Sequence, residues 1–225
     1  MTSNGPLAGL RAGLARWGGR QIERKTQGQL DAMRVAGQLV ARALAEVAGQ
    51  AKAGITTLEL DALAEQVIRD GGGVPSFLGY HGFPASICAS VNDQIVHGIP
   101  SDAQVLADGD LLSVDCGAIV DGWHGDSAVT LPIGTVSASD LALSSACREA
   151  MDAGIVAAVP GARLTDISHA VQTAAEAAAR RDGTAYGIIA EYGGHGIGTA
   201  MHMDPFVPNL GQPGRGPKLP VGGVL

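Results

Sequence analysis

The sequence predicts a mixed α/β (α+β) chain built as two like halves, on three observations. Apolar residues recur at helical spacing in four stretches, and strand-like runs punctuated by Gly and Pro separate them. The order helix, helix, strands occurs twice. The second helix of each half can also be laid on the other at an offset of 107, where Gly54 falls on Gly161, Glu59 on Asp166 and Leu60 on Ile167.

The elements follow in order. Residues 1–26 are Gly-rich and irregular, and carry Arg11, Arg16, Arg20, Arg24 and Lys25 with only Glu23 opposing them. They are expected to form a flexible basic N-terminal arm, either a solvated tail or an electrostatic foot on an acidic partner such as ribosomal RNA. One folded domain is expected over 27–225. Its first helix carries Leu30, Met33, Ala36, Val40, Ala43, Leu44 and Val47 on one stripe. After Lys52-Ala53-Gly54, Thr57 precedes a second helix with Leu60, Leu63, Ala64, Val67 and Ile68, and Gly71-Gly72-Gly73 ends it. From Val74 to Leu131 the character is strand and loop, punctuated by Gly79, Gly82, Pro84, Gly98 and Pro100. Helix returns at about 140–159 and about 166–181, and a Gly-rich segment with strand potential follows.

Composition narrows the function classes. With 225 residues, 46% hydrophobic and 16% charged, the chain can bury one proper core and does not read as disordered. A formal net charge of −7 argues against wholesale nucleic-acid binding, which runs on Lys and Arg against phosphate. Cys88, Cys116 and Cys147 are odd in number and lack CxxC pairing, which suits a reducing cytosol and offers no structural zinc site. No signal pattern opens the chain, and no run approaches the ~18 apolar residues of a membrane span. The expected location is cytoplasmic, with no membrane partner.

The stretch 111–131 is the most informative. Asp121-Gly122 between two apolar runs signals a hairpin, because a type I′ turn needs positive φ at both central residues. With that turn, Val120 pairs with Trp123, Gly117 with Asp126 and Asp115 with Ala128. Asp115 and Asp126 then lie on one face as diagonal neighbours. Cys116 points the other way, into the core. Two carboxylates so placed repel unless a cation or a proton lies between them, and Asp is disfavoured inside a strand. A pair of exposed hairpin aspartates is the plain alternative, and a one-residue shift of the turn would separate the faces.

Three histidines, two of them beside glycine, strengthen the metal reading: His97 in Val96-His97-Gly98-Ile99-Pro100, His195 in Gly194-His195-Gly196, and His202 in Met201-His202-Met203. An Asp-Asp-His set suits Mn²⁺, Fe²⁺, Co²⁺ or Zn²⁺, with the oxygen-rich ligation that two-metal hydrolases use. His81 and His124 are weaker candidates, and His169, on a predicted helix, is expected to be structural.

Ser90-Val91-Asn92-Asp93, His97-Gly98-Ile99-Pro100, Val114-Asp115, Gly125-Asp126, Gly194-His195-Gly196-Ile197-Gly198 and Met201-His202 together resemble the type I methionine aminopeptidases, over about Lys25 to Leu225. The resemblance implies the pita-bread fold, with two pseudo-symmetric halves of antiparallel sheet covered by helices. It implies a metallopeptidase domain over 27–225 holding two divalent ions (Co, Mn, Fe or Zn), and removal of initiator methionine when the second residue is small. By resemblance Asp115 is a bidentate ligand of one metal, Asp126 bridges, and His195 binds the other. His97 and His202 match the family's catalytic outer histidines, which contact substrate and steady charge on the scissile carbonyl. Tyr80, Phe83, Cys88 and Met201 match positions lining the methionine pocket; core packing is the alternative for these four. The partners implied are nascent peptide N-termini, and the family is generally monomeric.

One departure stands against these matches. The family's two remaining metal ligands are glutamates further on, the first soon after a stretch like Pro220-Val221-Gly222-Gly223-Val224-Leu225. In this sequence no Glu follows Glu191, and Asp204 is the last acidic residue. The expectation is a site short of two ligands and a domain incomplete at its C-terminus, its last strands missing and a sheet edge exposed. That would be a piece of a longer enzyme, a truncated gene product, or a sequence whose C-terminus was lost. The 225 residues are then expected to be weakly active or inactive. Two alternatives are a non-catalytic pita-bread binding module and a proline-directed aminopeptidase of the same fold. The first would be expected to lose the metal ligands, and the second to carry an additional N-terminal domain.

Overall fold

A computed structural model describes residues 22–225. The basic residues Arg11, Arg16 and Arg20, and the ribosomal contact expected of them, lie outside the described residues. The chain divides into two compact units: Thr26–Ser144 with Ile197–Met201, and residues 22–25 with Ser145–Gly196 and His202–Leu225.

The first unit opens on helix α1 (Gln27–Gln50). Thr26 caps it through a reciprocal pair: its hydroxyl accepts from Gln29 N–H at 3.3 Å, and its own N–H donates to Gln29 Oε1 at 2.8 Å. The buried stripe is Met33, Ala36, Leu39, Val40, Ala43, Leu44 and Val47, the expected face with Leu39 added and Leu30 left half-buried. Helix α2 (Thr57–Asp70) begins at Thr57 itself; its cap is Thr56, one residue earlier than expected, paired reciprocally with Glu59. Leu60, Ala64 and Ile68 face inward and are fully buried, each large one contributing roughly 1.5–3 kcal/mol.

A four-stranded antiparallel sheet packs under these helices. Its middle strand is β3 (Leu111–Val120). Strand β4 (Trp123–Pro132) pairs along its whole length, β2 (Ile87–Val91) pairs at Leu112–Cys116, and β1 (Val74–Pro75) at Ala118–Ile119. Leu112, Val114, Cys116 and Ala118 alternate onto one face of β3 and join the main core with α1 and α2. Gly125 on β4 lets α1 approach closely: a Cβ there would lie 2.7 Å from Gly37 N and 2.8 Å from Ala36 C. That contact pins the strand next to Asp126.

In the second unit, helix α3 (Ala138–Ala157) runs in from the first, and helix α4 (Leu164–Asp182) packs on strand β6 (Met203–Pro208). Strand β5 (Gly193–Gly196) pairs antiparallel with β6, with a register shift between His195 and Gly196. Leu164, Ile167, Val207 and Leu219 form this unit's core together with Ile22. Residues 22–25 therefore differ from the free arm expected of 1–26. Ile22 is buried, Lys25 N–H donates to Gly222 O at 2.8 Å, and the buried Lys25 ammonium pairs with Glu23 at 3.0 Å. His169, expected to be structural, is exposed on α4.

The offset of 107 is physical. Gly54 N–H donates to Leu106 O and Gly161 N–H to Leu219 O, both at 2.8 Å, with φ of 93° and 89° at the two glycines. Leu106 N–H returns to Ile55 O and Leu219 N–H to Ala162 O. Thr56 bridges Val105, and Arg163 bridges Lys218. Glu59 and Asp166 each accept the backbone N–H three residues before them, at 2.8 and 2.7 Å. Each unit thus docks the start of its second helix on a returning segment with the same bonds.

Asp61 on α2 is buried, and its Oδ1 accepts from Ser86 N–H at 2.8 Å and Ile87 N–H at 2.9 Å, fixing the start of β2. Burial raises its carboxyl above the ordinary value, the two N–H groups oppose that rise, and nearby Glu65 adds to it. An acid harder to ionise folded than unfolded stabilises the fold while protonated, and that contribution is lost as pH rises through the raised value. Asp61→Asn keeps an acceptor and is expected to flatten the urea midpoint against pH across and just above the carboxylate range. Asp61→Ala strands two buried donors and is expected to cost roughly 2–5 kcal/mol at any pH.

Candidate metal centre

The β3–β4 turn has positive φ at both central residues, 49° at Asp121 and 80° at Gly122. The register follows: Val120 opposite Trp123, Gly117 opposite Asp126, Asp115 opposite Ala128. Asp115 and Asp126 stand on one face as diagonal neighbours, both half-buried, while Cys116 is fully buried on the other face. Cys88 sits directly across from Asp115 on β2. The Cys88 and Cys116 thiols are each pushed up to about 12, first by burial and then by the negative charge of Asp115, Asp126 and Asp61. The same field that opposes a thiolate favours a cation.

Phe77, Cys88 and Met201 form a separate buried cluster with Phe83 packed against it. Three of the four expected pocket residues therefore meet. Tyr80 is outside that cluster, 36% exposed and edge-on to His81 at a ring separation of 4.3 Å. Phe77 was not expected; it follows Pro75, whose pairing with Ala118 of β3 brings the segment to the cluster, and that pairing has no local signal in the sequence. His97 is exposed at φ 59° in the loop after β2. Its neighbour Gly98 is held against β2, N–H to Ser90 Oγ at 3.0 Å and carbonyl accepting from Ala89 N–H at 2.9 Å.

The second unit presents His195 and His202, their rings 4.4 Å apart at 58°. His195 Nδ1 lies 3.0 Å from Gly196 O. A carbonyl can only accept, so Nδ1 carries the proton, and in the neutral imidazole Nε2 then holds the lone pair, the tautomer a cation needs. The glycines around His195 let β5 and β6 close up, since a Cβ on Gly196 would meet Asp204 O and one on Gly193 would meet Val207 O.

The structure thus brings together Asp115 with Asp126, and His195 with His202, each pair within one unit. Among the described residues, no three His, Cys, Asp or Glu side chains are gathered as a metal-holding group. The donor chemistry fits a divalent ion all the same: two acceptor-only carboxylates on one strand face, and an imidazole with its lone pair on Nε2.

The model of metallopeptidase family M24 matches residues 31–225. Methionine aminopeptidase 1 of Mycobacterium tuberculosis is 57% identical over 220 residues, 98% of this chain and 80% of that one. Methionine aminopeptidase 1 of Bacillus subtilis is 46% identical over 201 residues, 89% of this chain and 78% of that one. The crystal structure of methionine aminopeptidase from Thermotoga maritima superposes with a TM-score of 0.85 at 36% identity, over 90% of this chain and 79% of that one. The chain belongs to metallopeptidase family M24, among its type I methionine aminopeptidases. Its fold is the pita-bread fold, and the family implies divalent metal ions.

Burial separates the three cysteines. Cys88 and Cys116 are buried with raised thiols, and Cys147 is exposed on α3. Native protein treated with iodoacetamide near neutral pH is expected to take up one label per chain, at Cys147, and three after denaturation. Peptide mapping that finds Cys88 labelled as fast as Cys147 would contradict the packing around Asp115.

Proposed function

We propose that the chain removes the initiator methionine from nascent proteins whose second residue is small, using two divalent ions drawn from Mn, Fe, Co or Zn. The observation that carries this reading is the β3–β4 register, which sets Asp115 and Asp126 on one face in a chain of this family. Asp115 would chelate one ion, Asp126 would bridge, and His195 through Nε2 would bind the other; these roles rest on the family motifs. Bound there, the ions would make water a usable nucleophile near neutral pH and polarise the scissile carbonyl. His97 and His202 would donate to the peptide and oppose charge developing on the carbonyl oxygen. Phe77, Phe83, Cys88 and Met201, with Tyr80 at the rim, would take the methionine side chain, whose soft thioether favours an apolar wall.

The setting fits a cytoplasmic monomer acting on emerging chains, with the basic N-terminal residues as its ribosomal foot. No helix among the described residues is long and apolar enough to cross a membrane.

Release of free methionine from Met-Ala-Ser with Mn²⁺ or Co²⁺ tests the reading. Met-Leu-Ser is expected to be cleaved more slowly, and Asp115→Asn or Asp126→Asn to abolish release. Equal turnover of both peptides, or turnover surviving both substitutions, would contradict it.

A further inference from the structure

His124 lies two residues before Asp126 and takes no part in the reading above, yet it is tied on two sides. Its ring Nδ1 is 3.0 Å from Ser76 Oγ, with the donor set by the imidazole tautomer. Its backbone N–H donates to Gly198 O at 2.9 Å. Ser76 is 5% exposed and its own N–H donates to Gly117 O at 2.9 Å, continuing the β1 pairing along β3. Strand β3 lies between Ser76 and His124, so their contact passes over Gly117. A Cβ on Gly117 would stand 3.1 Å from Ser76 Oγ and 2.8 Å from Phe77 Cε1, so only glycine leaves the crossing open.

The two segments that His124 holds are the two flanks of the apolar cluster. Ser76 adjoins Phe77, and Gly198 lies three residues before Met201. Phe77 and Met201 are 7% and 4% exposed, and both pack in the cluster with Cys88. We propose that His124 is a positioning residue for the methionine pocket, fixing the spacing between the Phe77 and Met201 walls through Ser76 and Gly198. It acts on side-chain selectivity and not on the metal ions. The proposal rests on the reading of Phe77, Phe83, Cys88 and Met201 as the pocket. Two rigid walls select an unbranched side chain over a branched one because small misfits are not absorbed in close packing.

The test is calorimetric binding of L-methionine and of L-leucine to the full chain with Mn²⁺ present, alongside Mn²⁺ binding itself. The parent is expected to prefer methionine. Ser76→Ala and His124→Ala should each lower the methionine-to-leucine affinity ratio about fivefold, the scale of one lost hydrogen bond, and leave Mn²⁺ affinity unchanged. The double variant should be no worse than either single one, because both remove the same contact. His124→Asn, which can place an amide atom near Nδ1, should restore most of the ratio. A ratio unmoved by both single changes, or lost only in step with Mn²⁺ affinity, would overturn the proposal. A parent that does not prefer methionine would sink the pocket reading itself, and this proposal with it.

Discussion

The pairing of β3 with β4 is the constraint on which the rest of this molecule depends. A two-residue turn at Asp121-Gly122 closes ten cross-strand pairs without a bulge. Because side chains alternate with period two, that single register decides two things together. It sends Leu112, Val114, Cys116 and Ala118 into the core under α1 and α2, and it sends Asp115 and Asp126 to the opposite face. Slipping the pairing by one residue would strand the apolar set in solvent and bury the carboxylates. The hydrophobic face, through its burial, therefore holds together two like charges that would otherwise separate.

The glycines around this hairpin act through close approach as much as through φ. Gly125 admits the backbone of α1 at Gly37, and Gly117 admits Ser76 and Phe77. Helix α1 and the Ser76-Phe77 segment are thus seated on the residues next to and opposite Asp126, and the carboxylate sits between two fixed supports. Each unit repeats the other's local scheme at the second helix, from Gly54 and Gly161 to Glu59 and Asp166. The repeat is imperfect where chemistry differs. Asp61 anchors β2 through two N–H groups, whereas the residue 107 further on, Ser168, is buried with its hydroxyl unpartnered among the described residues.

Much of this was legible in the sequence. The apolar stripe of α1, the Gly54 correspondence and the full β3–β4 register follow from periodicity and from one Asp-Gly dipeptide. Helix starts shifted by a residue or two, as with Thr56 in place of Thr57, because two adjacent threonines are equally good caps and only the docking of Thr57 Oγ1 on Ser101 distinguishes them. The packing of Ile22 and Lys25 was not legible, since the partners that bury them lie nearly 200 residues away, around Leu219 and Gly222. Phe77 and the Ser76–His124 tie were missed for the same reason: they depend on which strand neighbours which. Tyr80 matched a family position, but its placement beside His81 could not be read from spacing.

In the role proposed for Asp126 as a cation ligand, strand face and not acidity is what fits it to bind. Ser127 is opposite Cys116, on the other face of the hairpin. The most direct measurement is Mn²⁺ affinity, by electron paramagnetic resonance titration, of the paired change Asp126→Ser with Ser127→Asp, which conserves composition and net charge. Moving the carboxylate across the sheet is expected to weaken Mn²⁺ binding by about tenfold or more, the loss of at least 1.4 kcal/mol from one charged ligand. Affinity equal to that of the parent would contradict the account.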